Sequence, residues 1–375
     1  MTNKAYKNET IKRKFYSYLA NSSKGFSPTT IDCYDGAICL WEDFSKGEDF
    51  LYFSKTKAEE FKEWLRNKKK VRSSENVSLS YCYDMLRYLR CFFNWLSQQK
   101  GYRKITQSDV DYLNLSKKER RVAMQPKSKV VPSLEQVKKV IENIKGENEV
   151  EMRDRALLSL ALLTGARITA LTSLPLRSFD RERQVIDQSP ELNVKTKFSK
   201  RIVSPLISFS YKEPLGYFVE WVNYLTRKGF TDEDPIFPAT KVQNGTKDEL
   251  GYFNTGEVEP TFWQSTSTAR KIFEQRFTQA GISYHNPHSF RHLLVKEISK
   301  LHLTEEQRKA FSQSLGHEDV GTTFGSYGYG YIDEDRQIEI VNSIDFEGKH
   351  HRKEYVFTEE GINELIRKAK EGDEV

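Results

Sequence analysis

Cysteines, histidines and long apolar runs are scarce in this sequence, and these shortages argue against several classes of protein. The four cysteines form no CxxC pair and lie in the first quarter of the chain: Cys33, Cys39, Cys82 and Cys91. That usage argues against a disulfide framework and predicts free thiols in a reducing cytoplasm. The longest mainly apolar run, residues 156–163, is too short to span a bilayer and predicts a buried helix. The first 19 residues contain no continuous apolar stretch, so we expect no signal peptide.

The remaining composition is that of a polar globular protein. Of the 375 residues, 37% are hydrophobic, 30% are charged and 13% are aromatic, which is enough apolar material to build cores. The length predicts two domains. The net charge of +6 is compatible with nucleic-acid binding, although many other cytosolic proteins are equally basic.

The first part of the chain is predicted to be a helical domain over residues 1–105. Apolar residues recur at helical spacing in residues 29–44, 55–69 and 78–99. Many of these residues are aromatic. We interpret them as the core of a small helical bundle, and the alternative is that they are stacking platforms for bases.

Two clusters of basic side chains are candidate contacts for DNA phosphates. The first lies at the end of the second predicted helix and comprises Arg66, Lys68, Lys69, Lys70 and Arg72. The second lies in residues 106–132, which have few large apolar residues and are predicted to be a linker: Lys117, Arg120, Arg121, Lys127 and Lys129. A basic linker suits a clamp that crosses the phosphate backbone of a duplex. A solvated helix end and an ordinary soluble linker are the alternatives.

A second domain is predicted over residues 133–345. Ser133 and Gln136 have the spacing of a capping box, and Gly165 is the expected C-cap of a buried helix over residues 152–164. The spacing of the apolar residues then changes from that of a helix in residues 184–206, which predicts a small antiparallel sheet or hairpin. Residues 239–260 are polar and aperiodic and predict a long surface loop. Another helix is expected at residues 333–344, and residues 346–375 form a C-terminal tail.

Residues 287–331 concentrate the groups that can act on an anion. Four of the seven histidines lie there, followed by three alternating tyrosines. Pro287 predicts a helix start, which puts His288 and Arg291 near free N–H groups and the positive end of the helix dipole. Arg167 follows a helix-ending glycine that can hold it rigidly. Two guanidiniums can grip the two non-bridging oxygens of one phosphodiester.

A tyrosine is a suitable nucleophile for a phosphodiester if its pKa of about 10 is overcome by positive neighbours or a base. His288 and His317 are candidates for moving protons, and a lysine of the hairpin can protonate the leaving 5′ oxygen. Taken singly, an arginine is usually a surface charge and His317 a structural residue. Zinc binding by His288 and His292 is not expected, because Ser289 breaks the HExxH pattern and no third ligand is apparent.

The order of these residues resembles the tyrosine recombinase (phage integrase) family. The matching segments are Leu163-Thr-Gly-Ala-Arg167, Val194-Lys-Thr-Lys197, His288-Ser-Phe-Arg291-His292, Leu315-Gly-His317 and Thr322-Thr-Phe-Gly-Ser-Tyr327. The resemblance implies a mainly α fold with a small antiparallel β-sheet (an α+β catalytic domain). It also implies a two-domain C-shaped DNA clamp, in which a helical core-binding domain precedes the catalytic domain. Many members carry an acidic residue where this chain has Ala170.

The resemblance also implies a role for each site residue. Arg167 and Arg291 are similar to the pair that binds the scissile phosphate, and His288 and His317 to the two auxiliary residues. Lys195 resembles the general acid of the hairpin, with Lys197 as its rival. Tyr327 resembles the nucleophile that forms a 3′-phosphotyrosyl bond, and Tyr329 and Tyr331 are the alternatives. No metal or nucleotide cofactor is implied, since the phosphotyrosine stores the bond energy for religation.

The implied function is that of a site-specific DNA recombinase, an integrase of a mobile element. The implied partners are double-stranded DNA, a homo-tetramer on two DNA sites, and accessory DNA-bending or directionality proteins. The expected location is the cytoplasm, associated with the nucleoid, and the tail is a candidate for docking on a neighbouring subunit. The alternatives are a type IB topoisomerase and a DNA-binding protein that has lost catalysis.

Overall fold

The computed structural model describes residues 3–23, 25–71, 73–125, 130–207, 209, 211–244, 252–329, 338 and 341, with the backbone alone at 3–6, 244, 252–254 and 326–329. The chain divides into two compact units, Met1–Pro126 and Lys127–Val375. The predicted helix at residues 333–344 falls almost wholly outside the described residues, as does the tail at 346–375. Within the part of the chain that is described, no helix combines the length and apolar character needed to cross a membrane.

The first unit is a bundle of helices around an aromatic core. Its helices are α1 (Asn3–Asn21), α2 (Pro28–Ser45), α3 (Lys55–Asn67), α4 (Leu79–Ser97), α5 (Gln107–Val110) and α6 (Lys117–Met124). Trp41 packs edge-on against Phe93 with ring centroids 5.0 Å apart, and Phe53 stacks on Phe93 at 4.0 Å. These rings are buried, which confirms that the aromatic stripe of this part of the chain is core rather than a surface for stacking bases.

The predicted basic linker contains two short helices, α5 and α6, within residues 107–124. Each helix is opened by a capping box, Thr106 with Asp109 and Ser116 with Glu119. Val110, in α5, is fully buried in the core of the first unit. Capping boxes let helices this short begin without a long apolar stripe, which is why composition alone suggested a linker.

The second unit is built around helix α8 (Glu149–Thr164), which is buried on nearly every side, as its apolar run predicts. The other helices around it are α7 (Leu134–Asn143), α9 (Ile168–Leu171), α10 (Glu213–Lys228), α11 (Thr266–Gln279), α12 (Pro287–Ser299) and α13 (Glu305–Ser314). Ser133 caps α7 with the predicted capping box, and α12 begins at Pro287 as expected. A π-helix (Thr322–Tyr329) follows α13 and packs on α12.

The predicted small sheet is present and antiparallel. Strands β1 (Phe179–Asp180), β2 (Val185–Gln188) and β3 (Ile202–Pro205) lie in the order β1-β2-β3, with Ile186 opposite Ser204. The connection between β2 and β3 carries the lysines singled out in the sequence. We call residues 189–201 the lysine loop.

The prediction of a long surface loop at residues 239–260 is wrong. Strands β4 (Ala239–Asn244) and β5 (Tyr252–Glu259) pair antiparallel there, with a bulge between Thr240 and Val242. Val258 is buried, and its N–H donates to the Glu149 carboxylate at 2.7 Å. The bulge and the mostly polar side chains conceal the period of two that would have predicted strands.

A buried ionic cluster joins this hairpin to the helical core. Asp154 accepts from Arg153 at 2.8 Å and from Arg276 at 2.7 and 2.9 Å, and all three residues are buried. Arg153 also donates to the Pro238 carbonyl at 3.0 Å. Because each charge has a hydrogen-bonded partner, the cluster holds α8, α11 and the start of β4 together without an isolated buried charge.

Candidate active site

Arg167 is placed by a glycine turn at the end of α8. Gly165 has φ 57°, and a Cβ at this position would lie 3.0 Å from Leu294 Cδ2 and 3.5 Å from the Arg291 Cα. Glycine is therefore needed both for the left-handed backbone and for the close approach of α12. Arg167 is the N-cap of α9 and is half-buried. Its guanidinium makes no hydrogen bond or ion pair with any residue that the structure describes, so its charge is available to an anion.

Arg291 joins two turns that are far apart in the chain. The residue is only 2% exposed. Its Nη1 donates to the Gly165 carbonyl at 3.0 Å, and its Nη2 donates to the Leu315 carbonyl and lies 2.8 Å from His317 Nε2. These contacts fix the guanidinium before any ligand arrives.

His317 is presented by the Leu-Gly-His turn that follows α13. Gly316 has φ 72°, and a Cβ there would overlap the side chain of Ile202 on β3, with Cγ1 at 2.9 Å. His317 is buried, and its Nδ1 lies 2.7 Å from Thr323 Oγ1. Burial, followed by the positive charges of Arg291 and Arg167, lowers the pKa of His317 to about 4, so the ring is neutral at pH 7.

The lysine loop is anchored at both ends. The Lys195 N–H donates to Ser173 Oγ at 2.9 Å, and Lys200 forms an ion pair with Glu318, the residue after His317. Lys195 and Lys197 are both exposed. Lys197 is one of the charges that lower the pKa of His317, so its ammonium acts electrostatically on that ring.

Two residues at the tip of the lysine loop have left-handed backbones without being glycine. Phe198 has φ 62° and Ser199 has φ 50°. The Phe198 ring is 77% exposed, and the Lys197 ammonium lies 4.8 Å from its centroid. A bulky residue in this conformation is strained, and its exposed ring gains little burial in return.

His288 and His292 lie one turn apart on α12. Their rings are perpendicular, with centroids 5.2 Å apart, and His288 is exposed whereas His292 is buried. His288 is also among the groups that lower the pKa of His317. No cluster of three His, Cys, Asp or Glu side chains suited to a metal ion occurs within the described ranges.

The tyrosines follow on the π-helix. Thr323 and Phe324 are buried and anchor its first half, with Phe324 packed on Phe311 at 6.0 Å between ring centroids. Tyr327 and Tyr329 lie in its second half. Tyr331 lies outside the described residues.

The basic residues of the first unit show two patterns. Those at the end of α3 have acidic or amide neighbours: Arg66 pairs with Glu119, Lys68 with Asp43, Lys69 with Asn76 and Lys70 with Glu75. Lys117, Arg120 and Arg121 are exposed on α6. Arg72, Lys127 and Lys129 lie outside the described residues. Exposed ion pairs contribute little free energy, so those at the end of α3 do not preclude phosphate binding.

Some members of the site were not identified from the sequence. The carbonyls of Gly165 and Leu315 are the hydrogen-bond acceptors for Arg291, and backbone acceptors leave no sequence signature. Thr323 contacts His317, and its hydroxyl lies 2.8 Å from Ser312 Oγ. In the sequence, Thr323 stands out only as part of the segment that ends at Tyr327. Its spacing of six residues from His317 was the available signal.

Comparison with known proteins finds relatives that match most of the chain. The model of the phage integrase family matches residues 132–329, more than half of the chain. The tyrosine recombinase XerC of Natranaerobius thermophilus is 25% identical over 338 residues, covering 88% of this chain and 96% of that protein. The tyrosine recombinase XerD of Shewanella oneidensis is 23% identical over 303 residues, covering 80% of this chain and 86% of that protein.

Solved structures share the fold. A lambda integrase fragment bound to a core site aligns with TM-score 0.56 and 15% identity, covering 87% of this chain and 98% of that one. The site-specific recombinase XerH bound to difH aligns with TM-score 0.52 and 17% identity, covering 89% and 83%. The match of the family model to the whole region that carries the arginines, the Leu-Gly-His turn and the π-helix shows that this chain is a tyrosine recombinase of the phage integrase family.

Proposed function

We propose that the protein cleaves and rejoins DNA at specific sites through a covalent 3′-phosphotyrosyl bond to Tyr327. The observation that supports this most directly is Arg291, a buried guanidinium held by the Gly165 and Leu315 carbonyls near Arg167, whose charge has no partner in the described part of the chain. Together the two arginines supply permanent positive charge to one phosphodiester.

In this mechanism the Tyr327 oxygen attacks phosphorus, and the bond from phosphorus to the 5′ oxygen breaks. The charge that develops on the non-bridging oxygens is stabilised by Arg167 and Arg291, which are already oriented. His288 is the exposed histidine near this cluster and can accept or return the tyrosine proton. The reverse attack by a 5′ hydroxyl restores the DNA and releases the tyrosine.

A lysine of the loop protonates the leaving 5′ oxygen in this proposal. The resemblance points first to Lys195, but the electrostatic link between Lys197 and His317 favours Lys197. A 5′-bridging sulfur distinguishes the two, because a thiolate leaves without being protonated. The variant that lacks the general acid should regain cleavage on such a substrate, whereas a lysine that only binds phosphate should give no such rescue.

Arg167 offers a clean test of the phosphate site. Its side chain has no bonded partner among the described residues, so Arg167→Ala should leave the melting temperature unchanged. Cleavage should fall by roughly 10²–10³-fold, the usual cost of losing one transition-state donor. Arg291→Ala should lose both stability and cleavage because its three contacts hold the site together. Full activity of the Arg167 variant would overturn the assignment.

The nucleophile is tested with a library of nicked duplexes of random sequence. Loss of the short fragment beyond the nick traps the protein on the DNA, and sequencing the trapped strands identifies the site. Tyr327→Phe should abolish the adduct, whereas the matched variants Tyr329→Phe and Tyr331→Phe should retain it. An adduct that persists in Tyr327→Phe and is lost in one of the other two would move the nucleophile to that tyrosine.

We further propose that the protein is the integrase of a mobile element and acts as a homo-tetramer on two DNA sites, with accessory DNA-bending or directionality proteins. The support is the family and the likeness of fold to lambda integrase and to the Tn1549 transposon integrase. The basic residues of α6 are proposed to contact the DNA backbone. Recombination between two plasmids that carry the trapped site tests this proposal. Relaxation of any plasmid without recombinants would indicate a topoisomerase, and specific binding without an adduct would indicate a protein that has lost catalysis.

A further inference from the structure

A line of buried polar groups runs from Arg291 into the π-helix that carries Tyr327. Arg291 Nη2 lies 2.8 Å from His317 Nε2, and His317 Nδ1 lies 2.7 Å from Thr323 Oγ1. Thr323 Oγ1 in turn lies 2.8 Å from Ser312 Oγ on α13. Thr323 and Ser312 are fully buried, so these hydroxyl groups cannot exchange their partners for water.

The chemistry of the groups fixes the direction of each hydrogen bond. A guanidinium has only donors, so Nε2 of His317 must accept from Arg291. The ring is neutral, since burial and the nearby charges of Arg291, Arg167, His288 and Lys197 lower its pKa to about 4. The one ring proton must then be on Nδ1, which donates to Thr323. The Thr323 hydroxyl is left to donate to Ser312, and Ser312 can donate to the Asp319 carbonyl at 3.4 Å.

We propose that Thr323 is a positioning residue that holds His317 in its Nδ1–H tautomer and thereby couples the seating of the tyrosine-bearing helix to the orientation of Arg291. The proposal rests on the function proposed above. In the other tautomer an Nε2–H would face an Arg291 N–H, and the contact between the two side chains would become repulsive. Thr323 is four residues before Tyr327 on the same helix, so docking that helix also supplies the acceptor for Nδ1–H.

This coupling has a consequence for the order of events at the site. When the π-helix is undocked, His317 loses the Thr323 acceptor for Nδ1–H, and the contact with Arg291 is then the hydrogen bond that still favours this tautomer. The phosphate-binding arginine and the nucleophile are then correctly set only in the same state of the protein. The site therefore resists cleavage by a partly assembled subunit.

The test compares three variants of the full-length protein. Thr323→Val keeps the branched shape and removes the hydroxyl, Thr323→Ser keeps the hydroxyl, and Thr322→Val is the exposed neighbour that serves as control. Nitrogen-15 NMR of histidine-labelled protein reports which ring nitrogen of His317 carries the proton. Single-turnover cleavage of the trapped site reports the chemistry.

We expect Nδ1–H in the wild type, in Thr323→Ser and in the control, and Nε2–H or a mixture in Thr323→Val. Cleavage should fall about 5-fold in Thr323→Val, the effect of losing one net hydrogen bond, with DNA affinity unchanged. Thr323→Ser should cleave within about 2-fold of the wild type. If Thr323→Val does not fold, Ser312→Ala replaces it, and the same change of tautomer is expected because Thr323 then turns its hydroxyl towards Nδ1.

Two results would overturn the proposal. One is an unchanged Nδ1–H signal with wild-type cleavage in Thr323→Val. The other is a Thr323→Ser variant as defective as Thr323→Val, which would indicate a role in packing alone. A failure of the proposed function is separately visible, because the nucleophile test above would then give no adduct, whereas the NMR tautomer result does not depend on DNA.

Discussion

Replacing Gly316 by alanine should damage the second unit far more than the same change at an open glycine. Gly316 and Gly281 have nearly the same backbone, with φ 72° and 68°. A left-handed conformation costs a non-glycine residue about 1–2 kcal/mol, and both variants incur this cost. Only at Gly316 does the new Cβ meet the Ile202 side chain, whereas nothing lies within 4 Å at Gly281.

The overlap with Ile202 adds about 1–3 kcal/mol to the loss at Gly316, as is typical for overpacking in a core. Thermal unfolding should therefore show a decrease in Tm for Gly316→Ala roughly twice that for Gly281→Ala. Gly316 also sets the positions of the Leu315 carbonyl and His317, which contact Arg291. Adduct formation should accordingly be lost in Gly316→Ala and kept in Gly281→Ala.

A second substitution, at Ile202, tests whether the clash with its side chain causes the loss of stability. Ile202→Val removes Cδ1, the atom nearest the new methyl group, at a cost of about 0.5–1.5 kcal/mol by itself. In combination with Gly316→Ala the two losses should be less than additive, since the clash is partly relieved. Equal decreases in Tm for the two glycine variants, or strict additivity in the double variant, would show that the close approach to Ile202 does not limit the turn.

Three further predictions concern stability. Asp154→Asn leaves two buried guanidiniums without their carboxylate and should destabilise the second unit by about 3–5 kcal/mol. The control Glu233→Gln removes an exposed partner of Arg177 and should leave Tm almost unchanged. Equal effects of the two changes in calorimetry would contradict this prediction. The folded-state pKa of His317, about 4, lies below its unfolded value near 6.5, so stability should decline as pH falls from about 6.5 to about 4, and the decline should be weaker in His317→Gln. Phe198→Gly should raise the free energy of unfolding, measured in urea, by about 0.5–1 kcal/mol, because the relief of about 1–2 kcal/mol of backbone strain exceeds the entropic cost of glycine. Phe198→Leu keeps the strain and should bring no gain in the same measurement.

The parts of the fold that followed from the sequence were those with strong local signals. The apolar run of α8, the capping box at Ser133 and the proline at the start of α12 each determine a helix by short-range physics. The short helices α5 and α6 and the bulged β4–β5 hairpin were missed. Their apolar residues are sparse, and their stability depends on tertiary contacts such as that between Val258 and Glu149.

The candidate site was likewise predictable from the sequence only in part. The type and order of its charged residues could be predicted from the chain, because arginine, histidine and tyrosine side chains suit the proposed reaction on a phosphodiester. What the sequence could not give is which backbone carbonyls hold Arg291, or that Thr323 faces His317. The choice between Lys195 and Lys197 also depends on the path of the lysine loop, which three left-handed residues turn in a way that no local pattern predicts.

The contacts of Arg291 also determine how much of the chain must be synthesised before its guanidinium can be held in place. Its bonding partners at Gly165 and Leu315 lie 126 and 24 residues away, on opposite sides of it in the sequence. A chain that leaves the ribosome from its N-terminus exposes Arg167 long before the turn at Leu315 has been synthesised. Nascent protein can therefore meet DNA before the proposed phosphate site is complete, and the proposed strand cleavage requires that nearly all of the second unit has been translated.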